Sequence, residues 1–150
     1  MLNEEIKAYI LQIEPTAVFD ETGEWLNILL PSEKWRDMAE SLRHSPFQFD
    51  YLFCLTCIDW KTHLTMVYHL SSTQSRHSIV IKANLNREQP AIETVCRIWR
   101  TAEFFEREVF ELFGVVFLQH PDLRKLILTD DFEGYPLRKD FEDPINMIKL

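Results

Sequence analysis

The sequence predicts an α+β domain whose sheet is mostly antiparallel and carries helices packed on it. Three observations lead there. Helix-period and strand-period stretches follow the order helix, two strands, helix, three strands, helix, rather than strict strand–helix alternation. Two pairs of strand-like runs are joined by short polar turns, as hairpins are. With 150 residues, 46% of them hydrophobic, the chain can close one sizeable core.

Each element has its own signal. Asn3 can cap a first helix with Leu2, Ile6, Ile10 and Ile13 on one face, and Pro15 ends it. Residues 17–20 and 25–30 read as strands of a hairpin turning at Glu21-Thr22-Gly23. Ser32 suits the cap of a second helix, striped by Trp35, Met38, Ala39 and Leu42. Residues 51–59 are apolar on both faces, with Leu52, Cys54 and Ile58 on one and Phe53, Leu55 and Cys57 on the other. That pattern predicts a strand in the middle of a sheet. Residues 64–70 turn Leu64, Met66, Tyr68 and Leu70 inward, and residues 79–85 do the same with Ile79, Ile81, Ala83 and Leu85. The polar stretch between them is a hairpin loop. Pro90 closes the sheet region. Residues 94–99 predict a short helix, Gly114 the stop of a longer one, and residues 115–118 a last short strand.

The longer helix begins at Glu103 and mixes five charged side chains with several Phe. On a 100° wheel, Ala102, Phe105, Val109, Leu112 and Phe113 share one arc, while Glu103, Arg107 and Glu111 lie opposite at i, i+4 spacing and can form ion pairs in series. Glu106 falls between the faces and needs a partner, either internal or on another protein. Phe104 and Phe110 also escape the arc. The helix therefore has more apolar surface than one small domain needs, which points to a second partner. From Thr129 onward no period is visible, yet Phe132, Tyr135, Leu137 and Phe141 make the segment too aromatic for plain disorder.

Composition narrows the chemistry. A formal net charge of -8 argues against a nucleic-acid partner. No apolar run reaches the roughly 20 residues that cross a bilayer, and the amino terminus does not resemble a secretory signal, so a soluble intracellular chain is expected. With only three glycines and no phosphate-binding motif, nucleotide binding by the usual loops has no support. Cys54 and Cys57 form C-x-x-C, which invites a redox or metal role. On a strand, however, odd spacing sends them to opposite faces, so buried small side chains are expected. His63 and His69 read as surface residues.

Two further groups are candidates. His120-Pro121-Asp122 holds a histidine extended beside a carboxylate that could orient it, either as a fixed turn or as chemistry. Glu106 and Glu108 point about 200° apart on a helix and cannot act on one atom. Arg138 and Lys139, fixed after Pro136, could pair with carboxylates of a partner.

Three linked runs carry a resemblance. They are E-R-E-V-F-E-L-F-G-V-V-F at 106–117, H-P-D-L-R-K-L-I-L at 120–128 and G-Y-P-L-R-K-D-F at 134–141. In this order and spacing they closely resemble the C-type subunit of the proton-pumping NADH:quinone oxidoreductase, respiratory complex I (the NADH dehydrogenase 30 kDa subunit family). The M-V-Y-H-L-S-S run at 66–72 also looks like the family, and the N-terminal third matches in pattern only. Phe110 stands where the family often has Tyr, Glu111 where it often has Asp, and Tyr135 where His is frequent.

The resemblance implies a two-layer α+β domain with a mixed sheet over residues 1–128 and an extended arm over 129–150 that docks on a partner. It implies a non-catalytic peripheral-arm subunit of an oxidoreductase, on the cytoplasmic face of the cell's inner membrane. Such a subunit scaffolds the quinone-site D-type chain and neighbouring iron–sulfur subunits. FMN, iron–sulfur clusters and quinone would belong to those partners, with no cofactor, metal or catalytic residue on this chain. The residues expected to meet partners are Glu106, Arg107, Phe110, His120, Arg124, Tyr135, Arg138, Lys139 and Asp140. Replacing Glu106 or Arg107 is then expected to weaken assembly more than the isolated fold. Two alternatives stand beside this reading. One is the homologous subunit of a membrane-bound hydrogenase or ferredoxin-linked complex. The other is a free-standing hydrolase using Glu106 and His120 in a cleft.

Overall fold

The computed structural model describes residues 2–129 and 131–141. The elements are α1 (Leu2–Ile13), β1 (Val18–Asp20), β2 (Leu26–Leu29), α2 (Ser32–His44), β3 (Tyr51–Asp59), β4 (Leu64–Ser72), β5 (His77–Leu85), β6 (Ala91–Glu93), α3 (Ala102–Phe113) and β7 (Val116–Leu118). Five strands form one sheet in the order β1-β2-β5-β4-β3. All its neighbours are antiparallel except β2 and β5, so the sheet is mixed and mostly antiparallel, as expected.

The alternating strands behave as their period demands. Leu64, Met66, Tyr68, Leu70, Ile79, Ile81, Ala83 and Leu85 are buried in one cluster with Ile6 and Ile10 of α1 and the Trp35 stripe of α2. Trp35 packs on Tyr68 at 4.8 Å and stacks on Trp99 at 6.1 Å, and the Trp99 indole N–H donates to Phe49 O at 2.9 Å. Fully burying side chains of this size contributes roughly 1.5–3 kcal/mol each.

Several expectations change. β3 ends the sheet's hydrogen-bond order instead of lying in its middle, and α3 packs against it. A bulge at Phe53 inserts one residue, so Leu52 opposes Leu70 while Cys54 opposes His69. Leu52 thereby joins Leu55 and Cys57 on the core side. Phe53 joins Trp25 and His69 in an aromatic cluster with ring separations of 5.5–6.1 Å, which half-buries His69. Cys57 opposes Met66, so the two thiols do face opposite sides. Both are free, and burial pushes the Cys57 thiol up to about 12.

The helix caps also differ. Ser32 is the first helical residue and makes no capping bond, and Asn3 sits inside α1, where its side chain meets His77 Nε2 at 2.6 Å. Residues 94–99 form turns instead of a helix. Strand structure does not end at Pro90: β6 follows it directly and pairs in parallel with β7 as a second, two-stranded ribbon.

Candidate functional site

The charged face of α3 does not carry the expected ladder of ion pairs. After β7 the chain returns across that face, and the helix charges bind its backbone. Glu111, 2% exposed, accepts the N–H groups of Leu126, Ile127 and Leu128 at 2.8–3.1 Å through Oε2. Burial alone would raise this carboxyl, but the three donors and the nearby Arg107 outweigh it and hold it below the ordinary range. Arg107, 5% exposed, donates from Nε to Arg124 O at 3.1 Å and from Nη2 to Lys125 O at 3.2 Å. One carboxylate and one guanidinium thus satisfy the polar backbone of a segment too short and irregular to satisfy itself.

Glu106 is fully buried. Its carboxyl bonds the Thr94 hydroxyl through Oε1 and the Val95 N–H at 3.0 Å through Oε2. Burial pushes it up to about 7, although both bonds pull the other way. His120 packs beside it, with Nε2 3.8 Å from Oε1 and its side chain enclosed. The Asp122 backbone N–H donates to His120 Nδ1 at 3.0 Å, which leaves the proton on Nε2, facing Glu103 O at 3.1 Å. Backbone groups, not the Asp122 carboxylate, orient this ring. That carboxylate binds Arg124 Nε at 2.9 and 3.1 Å instead.

Donor atoms of Cys96, Glu106 and His120 lie within 4.8 Å of one another. A metal at Nε2 would require the proton on Nδ1, where the Asp122 N–H already points. Both Glu106 oxygens are committed as well. The cluster is arranged as a hydrogen-bonded node, not as a ligand set. Glu106 and His120 do converge, as a hydrolase would require, but inside the protein and not in a cleft.

The arm is fastened along its described part. Leu137 N–H donates to Leu112 O at 3.0 Å and Arg138 Nε to Phe113 O at 2.6 Å, two carbonyls at the end of α3. Lys139 N–H donates to Asp59 Oδ2 at 2.8 Å. Asp59 is in turn gripped by Arg87 through Nε at 2.9 Å and Nη2 at 2.8 Å, which holds its carboxyl well below the usual range despite burial. Arg87 also reaches Asp140 at 3.3 Å. The Tyr135 ring lies against Gly114, where a Cβ would meet it at 2.7 Å. Gly114 also has φ +81° as the left-handed stop of α3, so both backbone and space demand glycine. Residues 130 and 142–150 of the expected arm lie outside the described residues.

The nine expected partner residues therefore divide. Glu106 and Arg107 face inward, the His120 side chain is enclosed, and Arg138 is used at the end of α3 with its guanidinium 5.1 Å from the Tyr135 ring. Phe110 is half-buried against the core. Arg124, Tyr135, Lys139 and Asp140 are exposed. Apolar groups outside that set are exposed as well: Phe104 at 56%, Leu137 at 54% and Ile127 at 78%. Asp59, Thr94 and Glu111 were not anticipated as anchors. For Asp59 a signal existed, because counting inward positions from Leu55 through Cys57 reaches it as a polar residue on the core side. Among the described residues no helix is long and apolar enough to cross a membrane.

Residues 28–145 match the family model described as respiratory-chain NADH dehydrogenase, 30 Kd subunit. The chain is 42% identical over 125 residues to the C/D-type subunit of the NADH-quinone oxidoreductase of Phocaeicola vulgatus, a match covering 82% of this chain and 24% of that one. It is 39% identical over 113 residues to the C-type subunit of the F(420)H(2) dehydrogenase of Methanosarcina mazei, covering 73% and 71%. A chain in the structure of the membrane-bound sulfane sulfur reductase, an archaeal respiratory membrane complex, superposes with a TM-score of 0.81 at 30% identity, covering 95% and 86%. The matches cover 24% and 47% of two similar curated relatives, one of the C/D type and one of the C type. The matched span takes in α3, the glycine that ends it and the described arm, and it covers most of the chain: this chain belongs to the respiratory-chain NADH dehydrogenase 30 kDa subunit family.

Proposed function

We propose that the chain is a non-catalytic scaffold in the peripheral arm of an NADH:quinone oxidoreductase. It holds the D-type quinone-site chain and neighbouring iron–sulfur subunits while electrons pass from NADH to quinone and protons are pumped. It binds no cofactor itself, FMN, iron–sulfur clusters and quinone being carried by the partners, and it sits on the cytoplasmic face of the inner membrane.

The observation that carries this reading is the inversion on α3 and the arm. Glu106, Arg107 and Glu111 are spent on the chain's own backbone and core, while Phe104, Ile127, Tyr135 and Leu137 remain at the surface. Charged groups used in this way face the chain's own interior and not a substrate, and exposed apolar side chains along α3 and the segments that cross it offer a contact surface. The joint C/D designation of the Phocaeicola vulgatus relative supports a fixed partner of the D type.

A second reading, in which the same scaffold serves a related complex with another redox module, is favoured by the likeness to the C-type subunit of an F(420)H(2) dehydrogenase and to a chain of a membrane-bound sulfane sulfur reductase. Affinity purification of the tagged chain from its native membranes tests both. Recovery with a D-type chain and NADH-oxidising subunits is expected. Recovery with a different donor module would favour the second reading, and recovery of the chain alone would overturn both.

A further inference from the structure

Parallel pairing brings the C-terminal ends of β6 and β7 to the same side, and α3 meets them there with one carboxyl. Thr94 and Val95 follow β6 directly, and Thr94 N–H closes the ribbon on Leu118 O at 2.9 Å. Beyond β7, Gln119 adopts φ +65°, in the left-handed region, and turns the chain so that His120 folds back onto α3. Both strand ends thereby converge on Glu106, which is fully buried and has no Lys or Arg ion-pair partner among the described residues. The other titratable groups facing it are Cys96 from the turn after β6 and Tyr68 from β4, both of which resist ionisation.

We propose that Glu106, Thr94 and His120 form a proton-responsive latch: a proton taken from solvent onto the Glu106 carboxyl secures the ends of the β6–β7 ribbon on α3, and its release loosens them. No covalent bond other than that carboxyl O–H forms or breaks. The ionised carboxylate accepts the Thr94 O–H, and the protonated carboxyl donates to Thr94 Oγ1 instead, with the Thr94 hydroxyl rotating. Neither ring nitrogen of His120 bonds the carboxylate, because Nδ1 is engaged by the Asp122 N–H and Nε2 faces Glu103 O. The uncompensated charge is relieved only by letting water reach the ribbon ends. Burial holds the carboxyl near neutrality, up to about 7. A folded-state value above the unfolded one means that the folded form carries the extra proton. The stabilisation is therefore complete below the ordinary carboxylate range and is lost as pH rises through about 7. The ribbon presents Val116 and Leu118 to solvent, so the latch sets how firmly that apolar edge is offered to a neighbour.

Amide hydrogen exchange of the full chain, corrected for the intrinsic pH dependence, tests this. Protection at Thr94, Val95 and Cys96 should fall about tenfold between pH 6 and pH 8 in the wild type and stay constant in Glu106→Gln, which keeps the shape without the titration. Constant protection in the wild type, or an equal fall in the variant, overturns the latch. Should Glu106→Gln not fold, the ¹³C carboxyl resonance of Glu106 in wild type decides: a midpoint near neutrality supports the latch, and one in the ordinary carboxylate range refutes it.

Discussion

The half of the chain ending at Leu85 is held by apolar side chains facing one another across a helix layer and a sheet. The half beginning at Ala91 is held largely by charged side chains facing backbone. In the first, Trp35, Tyr68 and the inward rows of β4 and β5 are interchangeable in kind, and each adds area to a common core. In the second, Glu111, Arg107 and Glu106, joined by Asp59 reaching across from β3, each satisfy particular N–H or C=O groups. The difference is one of redundancy. A core of many Leu and Ile tolerates a small loss at one position, whereas a loop fastened by one carboxylate depends on that carboxylate.

Substitutions can break or sharpen that contrast. Glu111→Ala leaves three part-buried N–H groups without their acceptor beside a buried Arg107, and should cost about 3–5 kcal/mol in chemical denaturation of the isolated chain. Asp59→Ala should cost about 2–4 kcal/mol by taking from Arg87 its two-bond partner and from the Lys139 N–H its acceptor, and should also free the arm, read as faster tryptic cleavage at Arg138 and Lys139. Gly114→Ala meets both a left-handed backbone and the Tyr135 ring, for about 1–3 kcal/mol, with arm protection falling in parallel. Leu137→Asp should change stability by no more than about 0.5 kcal/mol, because the side chain is exposed, yet lower recovery of the assembled complex. Equal costs for Glu111→Ala and Leu137→Asp in the isolated chain would erase the distinction between the two kinds of residue.

The same contrast explains what could be read without coordinates. The period-two rows of β4 and β5, the α2 stripe and Gly114 express local geometry and were legible residue by residue. The roles of Arg107 and Glu111 were not, since i, i+4 spacing describes a lone helix and says nothing of a segment 15 residues later that crosses its face. Glu106 and Arg107 consequently belong to the isolated fold, and their loss should unfold this chain before it affects assembly. β6 escaped notice because three residues are too few to show a period, and the bulge at Phe53 reversed the faces of Leu52 relative to simple alternation. The C-terminal motif was recognisable as a resemblance while the physical purpose of its charges was not.

Amide exchange at Leu126, Ile127 and Leu128 in the isolated chain tests the central claim most directly. If the α3 charges serve the chain's own backbone, these three amides are protected without any partner, and Glu111→Gln lowers their protection at least tenfold while leaving the β4 and β5 amides unchanged. Exchange at unfolded-peptide rates in the isolated wild type, with protection arising only in the assembled complex, would contradict the account.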